Sequence, residues 1–329
     1  MTTADSLRTF VPGSVSDEAK PRLLMAARMA AEAPPLGPPS SPADFEVRAR
    51  AMGEMLARLS RAPLEHFAPD ISSIQLGNLA AFEVLPSNYE DDGSILFHIH
   101  GGSFVLGGGS GVLLMATLNA AYSGRRVVSV DYSLSPHTRW PTVLEEIVSA
   151  WQSMIDDRNP RAVGIVGESA GGCLALTTTL ALRERHLRMP DAVVVQSPIV
   201  DLAQKGDTNV TLKAADNLDS QFVNASLRAF VDEAMFDNFL VSPISADFTA
   251  GFPPTLIQAG TREFVLSDSV RLHRALRRAK MASRLEVYEG MPHVFQMSLS
   301  DVPEGREAWS EVGEFWTSQL SRQKPTADE

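Results

Sequence analysis

Several features that define other classes of protein are scarce or missing in this 329-residue sequence. It has one cysteine, Cys173, which excludes an intramolecular disulfide framework. No apolar run approaches the roughly 20 residues of a membrane-spanning helix, so no membrane span is expected. Residues 1–6 lack a basic stretch followed by an apolar one, so the sequence predicts no signal peptide and a cytoplasmic protein.

Positive charge is also in short supply. The 29 lysines and arginines are outnumbered by 40 acidic residues, which gives a net charge of −11 at pH 7. Such a charge argues against nucleic acids and anionic membrane surfaces as partners. With 44% hydrophobic and 21% charged residues, the composition is typical of a globular protein with a large core.

The most informative feature that is present is the segment Gly167-Glu168-Ser169-Ala170-Gly171. It follows the short, apolar, β-branched run 162–166 and precedes a mostly apolar stretch without proline, which is suited to a packed helix. A G-x-S-x-G sequence at a strand-to-helix turn exposes the serine hydroxyl beside a backbone N–H group and at a helix N-terminus. The segment therefore predicts Ser169 as a catalytic nucleophile.

A nucleophilic serine requires a general base, and in the fold that uses this turn the histidine follows the serine in the chain. Three of the seven histidines do so. His186 lies in a charged stretch and His273 lies on the polar side of an arginine-rich helix, whereas His293 follows an alternating strand and a turn. Because α/β proteins place catalytic groups on loops at strand ends, His293 is the predicted base.

A glycine-rich loop, His100-Gly101-Gly102-Ser103-Phe104, directly follows the apolar strand 95–99. Such a loop can aim backbone N–H groups at the negative charge that develops on a carbonyl oxygen during acyl transfer. The predicted oxyanion hole comprises the N–H groups of Gly101, Gly102, Ser103 and Ala170. The nearby glycine run 107–109 does not match G-x-G-x-x-G, because Val112 occupies the place of the last glycine, so no dinucleotide site is predicted.

Together with three further segments, these motifs resemble the bacterial hormone-sensitive-lipase-like family, which consists of esterases of the α/β-hydrolase fold. The additional segments are 130–136 (Val-Asp-Tyr-Ser-Leu-Ser-Pro), 197–202 (Ser-Pro-Ile-Val-Asp-Leu) and 290–295 (Gly-Met-Pro-His-Val-Phe). The resemblance implies hydrolysis of short- to medium-chain carboxylic esters through an acyl-enzyme intermediate. It implies a small-molecule substrate, no cofactor and no metal, with a homodimer as a candidate oligomeric state.

The sequence departs from the family pattern at three places. Ser103 replaces the third glycine of the loop, and Pro136 is followed by His-Thr-Arg where the family usually has Glu-His. These two differences bear on the substrate preference rather than on the chemistry. The third departure is the segment 260–265, Gly-Thr-Arg-Glu-Phe-Val, which replaces the usual Asp-Pro-Leu around the catalytic acid.

The identity of the acid is therefore open at the level of the sequence. Glu263 is favoured, because it closely follows the strand 254–259 and aligns with the aspartate of the family. Asp268 is expected in the first turn of a helix, where a carboxylate stabilises the free N–H groups and the positive end of the dipole. Asp201 is the third candidate, although the aspartate at this position is usually structural in the family.

The pattern of strands and helices predicts an eight-stranded, mostly parallel sheet flanked by helices, as in the α/β-hydrolase fold. The strand candidates begin near Ile71, Ala80, Ile95, Val127, Val163, Ala192, Thr255 and Leu285. Gly77-Asn78 favours a tight hairpin between the first two. The predicted core comprises residues 69–203 and 242–322. A helical cap is predicted from residues 1–68 and from the insertion 204–241, which contains a helix around 220–235, and the tail 323–329 is predicted to be disordered.

Apolar residues of the predicted cap are candidates for an acyl pocket, with Met25, Phe222 and Phe230 as the expected substrate-binding residues. Packing of the cap against the core is the alternative role for each of them. Two alternative functions also stay open. A lactone or carbamate hydrolase would use the same triad, and a non-catalytic small-molecule receptor of this fold would lack the catalytic histidine, which is present here as His293.

Overall fold

A computed structural model describes residue 7 and residues 9–32, 37–216 and 218–321 of the chain. In this part of the chain, eight strands form one sheet in the order β1-β2-β4-β3-β5-β6-β7-β8. The strands are β1 (Asp70–Leu76), β2 (Leu79–Leu85), β3 (Ser94–Ile99), β4 (Arg126–Val130), β5 (Ala162–Glu168), β6 (Ala192–Gln196), β7 (Thr255–Gly260) and β8 (Ser283–Tyr288). The eight predicted strands are confirmed, while the predicted tail 323–329 lies outside the described residues.

The pairing of the strands determines at which edge of the sheet the loops with the candidate site residues lie. β2 runs antiparallel to both β1 and β4, and every other neighbouring pair is parallel. The predicted hairpin is present, since Leu76 pairs with Leu79 and Gly77 takes a φ of +57° in the tight turn between them. Parallel strands end at the same edge of a sheet, so the loops after β3, β5, β7 and β8 converge there.

Helices cover both faces of the sheet. The α-helices of the described residues are α1 (Ala19–Glu32), α2 (Pro42–Phe67), α3 (Leu113–Ser123), α4 (Thr142–Arg158), α5 (Ala170–Glu184), α6 (Thr208–Thr211), α7 (Ser220–Phe230), α8 (Leu266–Arg278), α9 (Phe295–Ser298) and α10 (Pro303–Leu320). Successive strand residues point to opposite faces, so Phe97 packs in the core beneath α4 and α5 whereas Leu96 packs with α3 and α10. Strands β3, β5, β6 and β7 are therefore buried along their whole length.

The long N-terminal helix α2 has a clear start signal. Ser41 and Asp44 form a reciprocal capping box, and Pro42 occupies the first helical position, where no backbone donor is needed. One face of this helix packs inward, with Phe45 and Leu56 buried. By contrast, α1 leaves Met25 64% exposed, which places that side chain on the surface.

The insertion contains a shorter helix than the sequence suggested. α7 ends at Phe230 rather than near residue 235, and Glu233–Met235 form a separate single turn. The carbonyl of Phe230 accepts the N–H group of Trp140 at 3.0 Å, and Arg139 Nε donates to the carbonyl of Ala229 at 3.0 Å. These bonds from the segment before α4 satisfy the last carbonyls of α7, and Val231 leaves the helix in an extended conformation.

Candidate active site

Ser169 lies at the sharp turn between β5 and α5. Its φ of 54° and ψ of −118° place it in a strained backbone region, and its side chain is almost fully buried. The two glycines of the motif are required by space. A Cβ atom on Gly167 would clash with the carbonyl of Gly171, and one on Gly171 would clash with the carbonyl of Ile99. The short pattern of glycines therefore permits the close packing of strand against helix that holds the serine in place.

His293 lies on the loop between β8 and α9 and faces the serine. Ser169 Oγ–H donates to His293 Nε2 at 2.9 Å, although the two residues are 124 positions apart in the chain. The other late histidines lie elsewhere: His273 Nδ1 pairs with Ser283 Oγ at 2.9 Å, and His186 is an exposed residue after the end of α5. The structure thus brings Ser169 together with the predicted histidine.

Glu263 is the carboxylate that faces this histidine. His293 Nδ1–H donates to Glu263 Oε2 at 3.3 Å, which is a long hydrogen bond. The other oxygen, Oε1, accepts Ser197 Oγ–H at 2.7 Å and the N–H group of Gly260 at 2.5 Å. With two donors fixing Oε1, the side chain has little freedom and Oε2 is held toward the imidazole.

The competing acids are committed to other contacts. Asp268 does not cap its own helix as expected; its Oδ2 accepts the N–H groups of Val200 at 2.7 Å and Asp201 at 3.1 Å. The side chain is buried, so it reaches across to the loop after β6 instead of facing solvent at the start of α8. Asp201 pairs with Arg271 at 2.6 Å. Neither carboxylate contacts His293.

The glycine-rich loop after β3 is held in place by a series of buried hydrogen bonds. The N–H group of Gly101 donates to Glu168 Oε1 at 2.8 Å, and His98 Nε2–H donates to Glu168 Oε2 at 3.0 Å. Ser129 Oγ–H in turn donates to His98 Nδ1 at 2.7 Å. The inclusion of Gly101 in the oxyanion hole was therefore wrong, because its only backbone donor is already used by the Glu168 carboxylate.

The remaining backbone donors of the predicted oxyanion hole are open. Within the described residues, the N–H groups of Gly102, Ser103 and Ala170 have no hydrogen-bond acceptor. Ser103 takes a φ of 54°, in the left-handed region that favours glycine, which accounts physically for the family's preference for a third glycine here. His100 Nδ1–H donates to the carbonyl of Gly101 at 2.7 Å, which helps to hold the loop in place.

The electrostatics favour a basic imidazole. Burial lowers the pKa of His293, but the hydrogen bond and charge of Glu263, together with the charge of Asp216, outweigh burial and raise its pKa above the usual value of 6.5. Burial raises the pKa of Glu263, and its contact with His293 works in the opposite direction. Stabilising the protonated imidazole is what a general base requires in order to hold a proton during the reaction.

Three residues that support the site, Glu168, Ser197 and Asp216, were not identified as functional from the sequence. Glu168 is the unspecified residue of G-x-S-x-G, and a charged side chain inside an otherwise small and apolar turn was an available signal. Ser197 belongs to the Ser-Pro-x-x-Asp-Leu segment, and its Oγ also accepts the N–H group of Val294 at 3.0 Å. Asp216, in the insertion, is fully buried and accepts the N–H group of Phe264 at 2.8 Å. No motif marked Asp216.

A cavity of about 270 Å³ opens beside Ser169 and His293. Its apolar walls are formed by Met52, Leu56, Leu106, Met115, Leu218, Phe222, Val294 and Met297. Phe222 is thus placed at the pocket, where its ring packs against Phe45 of α2. Met25 and Phe230 do not line it: Met25 is exposed on α1, and Phe230 stacks on Phe104 with ring centroids 4.0 Å apart.

Across the described ranges, no three histidine, cysteine, aspartate or glutamate side chains are grouped so that they could hold a metal ion. In the same ranges, none of the helices combines the length and the apolarity needed to cross a membrane.

Comparison with known sequences now identifies the family. Residues 96–297 match the model of an alpha/beta hydrolase fold family, and the chain belongs to this family. It is 28% identical over 284 residues to an esterase of Acinetobacter venetianus, which covers 84% of this chain and 92% of the relative. It is 31% identical over 247 residues to an acetyl-hydrolase of Streptomyces hygroscopicus, covering 74% of this chain and 81% of that protein.

Solved structures agree with this assignment. An esterase from the bacterial hormone-sensitive lipase family superposes with a TM-score of 0.82 at 26% identity, covering 93% of this chain and 99% of that chain. An esterase crystal soaked with p-nitrophenyl butyrate gives a TM-score of 0.81 at 25% identity, with coverages of 91% and 98%. The resemblance to the bacterial hormone-sensitive-lipase family and the predicted α/β-hydrolase fold are both confirmed.

Proposed function

We propose that this protein is a serine carboxylic ester hydrolase in which Ser169, His293 and Glu263 form the catalytic triad. The observation that carries the proposal is the unbroken chain of contacts Ser169–His293–Glu263 at the edge of the sheet, next to an apolar pocket. The matched esterases and acetyl-hydrolases support ester hydrolysis as the reaction. The receptor alternative is disfavoured, because the histidine is present and in hydrogen-bonding distance of the serine.

In the proposed reaction, Ser169 Oγ attacks the ester carbonyl while His293 Nε2 accepts its proton. The N–H groups of Gly102, Ser103 and Ala170 stabilise the negative charge on the former carbonyl oxygen. His293 then protonates the departing alcohol, which leaves an acyl group on Ser169. Water, deprotonated by His293, attacks the acyl carbon. The bond between this carbon and Ser169 Oγ then breaks, His293 returns the proton to Ser169 Oγ, and the carboxylic acid is released. Glu263 keeps the proton of the imidazole on Nδ1 throughout.

The size of the pocket supports a small ester. Its volume of about 270 Å³ lies slightly below the range of roughly 300–1,000 Å³ that is common for small-molecule sites. Methionine and leucine side chains and one aromatic ring provide the walls, so the acyl group is proposed to be a short- to medium-length hydrocarbon chain. Phe222 limits the length of that chain, because α7 and α2 meet at this ring above the pocket.

A series of p-nitrophenyl esters from acetate to laurate tests this function. We expect kcat/KM to be highest for the shorter chains and to fall steeply at laurate, with Ser169→Ala as the inactive control. Phe222→Ala should extend activity to longer chains by enlarging the pocket. A folded protein that turns over none of these esters, but binds the corresponding acids, would support a receptor function, and turnover of lactones alone would support the lactonase alternative.

A second prediction concerns the pH dependence. Asp216 and Glu263 are the charged groups that raise the pKa of His293, and only neutral His293 accepts the serine proton. Activity should therefore be lost as the pH falls through a value above the usual 6.5 of histidine. Asp216→Asn removes one negative charge but retains a hydrogen-bond acceptor, so the acidic limb of the kcat/KM profile should move to lower pH.

Asp219→Asn provides the matched control. This exposed carboxylate lies three residues further along the insertion and caps α7 through the N–H groups of Gln221 and Phe222. The control should change the stability little, because asparagine and aspartate cap helices about equally well, and it should not move the acidic limb. An unchanged limb in Asp216→Asn, or equal shifts in both variants, would contradict the specific effect of Asp216.

A further inference from the structure

A second and larger cavity lies next to the catalytic pocket. Its volume is about 570 Å³, and Met297 lines both cavities, so the two spaces share one wall. Helix α2 also runs past both of them: its middle turns, with Met52 and Leu56, face the catalytic pocket, and its last turns, from Arg58 to His66, face the second cavity. The other side of the second cavity is formed by the segment 297–306.

The charge of this cavity is opposite to that of the whole chain. The protein carries a net charge of −11, whereas the described residues that line the cavity include three arginines, Arg22, Arg58 and Arg306, and a single acidic residue, Asp301. Arg22 pairs with Asp301 and donates to the carbonyl of Ser298, so its charge is compensated. The cavity therefore contains more positive charge than its own carboxylate can balance.

The other two arginines account for this excess. Within the described residues, Arg58 has no hydrogen-bond acceptor and no carboxylate partner, and Arg306 donates only to the main-chain carbonyl of Asp301. The hydroxyl of Tyr122, at the end of α3, has no hydrogen-bond partner among the described residues. Burial raises the pKa of Tyr122, so its hydroxyl remains a donor at neutral pH. The Arg58 guanidinium group, the remaining N–H groups of Arg306 and the Tyr122 hydroxyl are therefore donors that have no acceptor among the described residues.

The remaining wall of the cavity is apolar. Leu59, Phe67 and Met297 line it, and the rings of Phe67 and Tyr122 pack edge to face with centroids 5.7 Å apart. A small inorganic anion would leave this surface unused. A ligand that combines an anionic group with a hydrocarbon chain would use both parts.

We propose that this cavity is a second binding site, for an organic carboxylate with a short apolar chain. Arg58 and Arg306 bind the carboxylate, whose two oxygens match the paired donors of a guanidinium group, and Tyr122 donates to it. The hydrocarbon chain packs on Leu59, Phe67 and Met297. Ester hydrolysis releases an acid of this class, so the link to the enzyme's own product rests on the proposed function, whereas the binding itself does not require turnover.

Titration calorimetry with hexanoate and its neutral analogue hexanamide tests the proposal. Wild-type protein should bind hexanoate with a Kd at least about tenfold lower than that of hexanamide, because only the acid pairs with the arginines. In the double variant Arg58→Gln/Arg306→Gln, the affinity for hexanoate should fall roughly tenfold or more and approach the affinity for hexanamide. Arg61→Gln is the matched control, since this exposed arginine lies on the same helix but does not line the cavity.

Each outcome is decisive for the site. Loss of hexanoate affinity in the double variant alone would support it, provided that kcat/KM for an ester, measured without added acid, stays within about twofold of wild type. Unaltered affinity in the double variant would overturn the proposal, because binding would then occur in the catalytic pocket. Equal weakening in Arg61→Gln, or equal binding of acid and amide by wild type, would also overturn it. A protein that binds hexanoate as expected but hydrolyses no ester would contradict the proposed function only.

Discussion

Ser169→Ala and His293→Ala are each expected to lower kcat for ester hydrolysis by roughly 10⁴- to 10⁶-fold, because members of a triad act as a unit. Ser169 Oγ supplies the bond-forming atom, and His293 Nε2, at 2.9 Å from it, is the only side-chain base placed to accept its proton among the described residues. Initial rates with p-nitrophenyl butyrate and active-site titration of purified protein would measure the loss.

Both variants should still fold. They remove atoms that face a cavity, and alanine at position 169 occupies the strained backbone no less readily than serine does. His273→Ala is the matched control, since this histidine also follows the serine in the chain but, in the part of the chain that the structure describes, bonds only Ser283. Retained turnover in Ser169→Ala, after exclusion of contaminating esterase, would contradict the triad, as would loss of activity in His273→Ala with the fold intact.

Glu263→Gln is expected to reduce kcat by up to roughly 10⁴-fold while preserving the fold. The reason lies in the partners of Oε1: Ser197 Oγ–H and the N–H group of Gly260 are both donors, so the amide oxygen must occupy that position. The amide NH₂ group then faces His293 Nδ1 and forces it to accept a hydrogen bond. The imidazole proton moves to Nε2, where it prevents the ring from accepting the serine proton.

Asp268→Asn is the matched comparison for this prediction. Asp268 lies only five positions away and is also buried, but it serves the backbone of Val200 and Asp201. Its replacement should leave kcat close to wild type and lower the free energy of unfolding by about 1–3 kcal/mol, as measured by urea denaturation. An active Glu263→Gln enzyme together with a folded but inactive Asp268→Asn enzyme would reassign the acid.

The features that could be predicted from the sequence are those that short segments of the chain encode. The strand before Ser169, the glycines on either side of it and the turn before His293 are all encoded within a few residues. Because β-branched runs and tight turns have local causes, the sheet and its hairpin could be predicted and are confirmed. The α/β-hydrolase fold and the esterase relationship, confirmed by the comparisons, also depend on such segments.

Side-chain direction was less predictable. Met25, Phe222 and Phe230 are all apolar residues on predicted helices, yet only Phe222 reaches the pocket. The ring of Phe230 stacks on Phe104 instead, and Met25 is exposed on the surface. Helical spacing defines which residues share a face, but it does not define what that face packs against.

The sequence by itself determined the fold, the strained serine turn and the histidine that follows the last strand, because each depends on short-range steric and hydrophobic rules. Only the tertiary structure decided which carboxylate faces His293, since Glu263, Asp268 and Asp201 are all buried and differ only in their partners. It also decided that Glu168 occupies the N–H group of Gly101 and that Asp216 lies behind the triad. These contacts join residues about 30 to 70 positions apart, and the hydrogen bonds that order them exist only once the sheet and the insertion have come together.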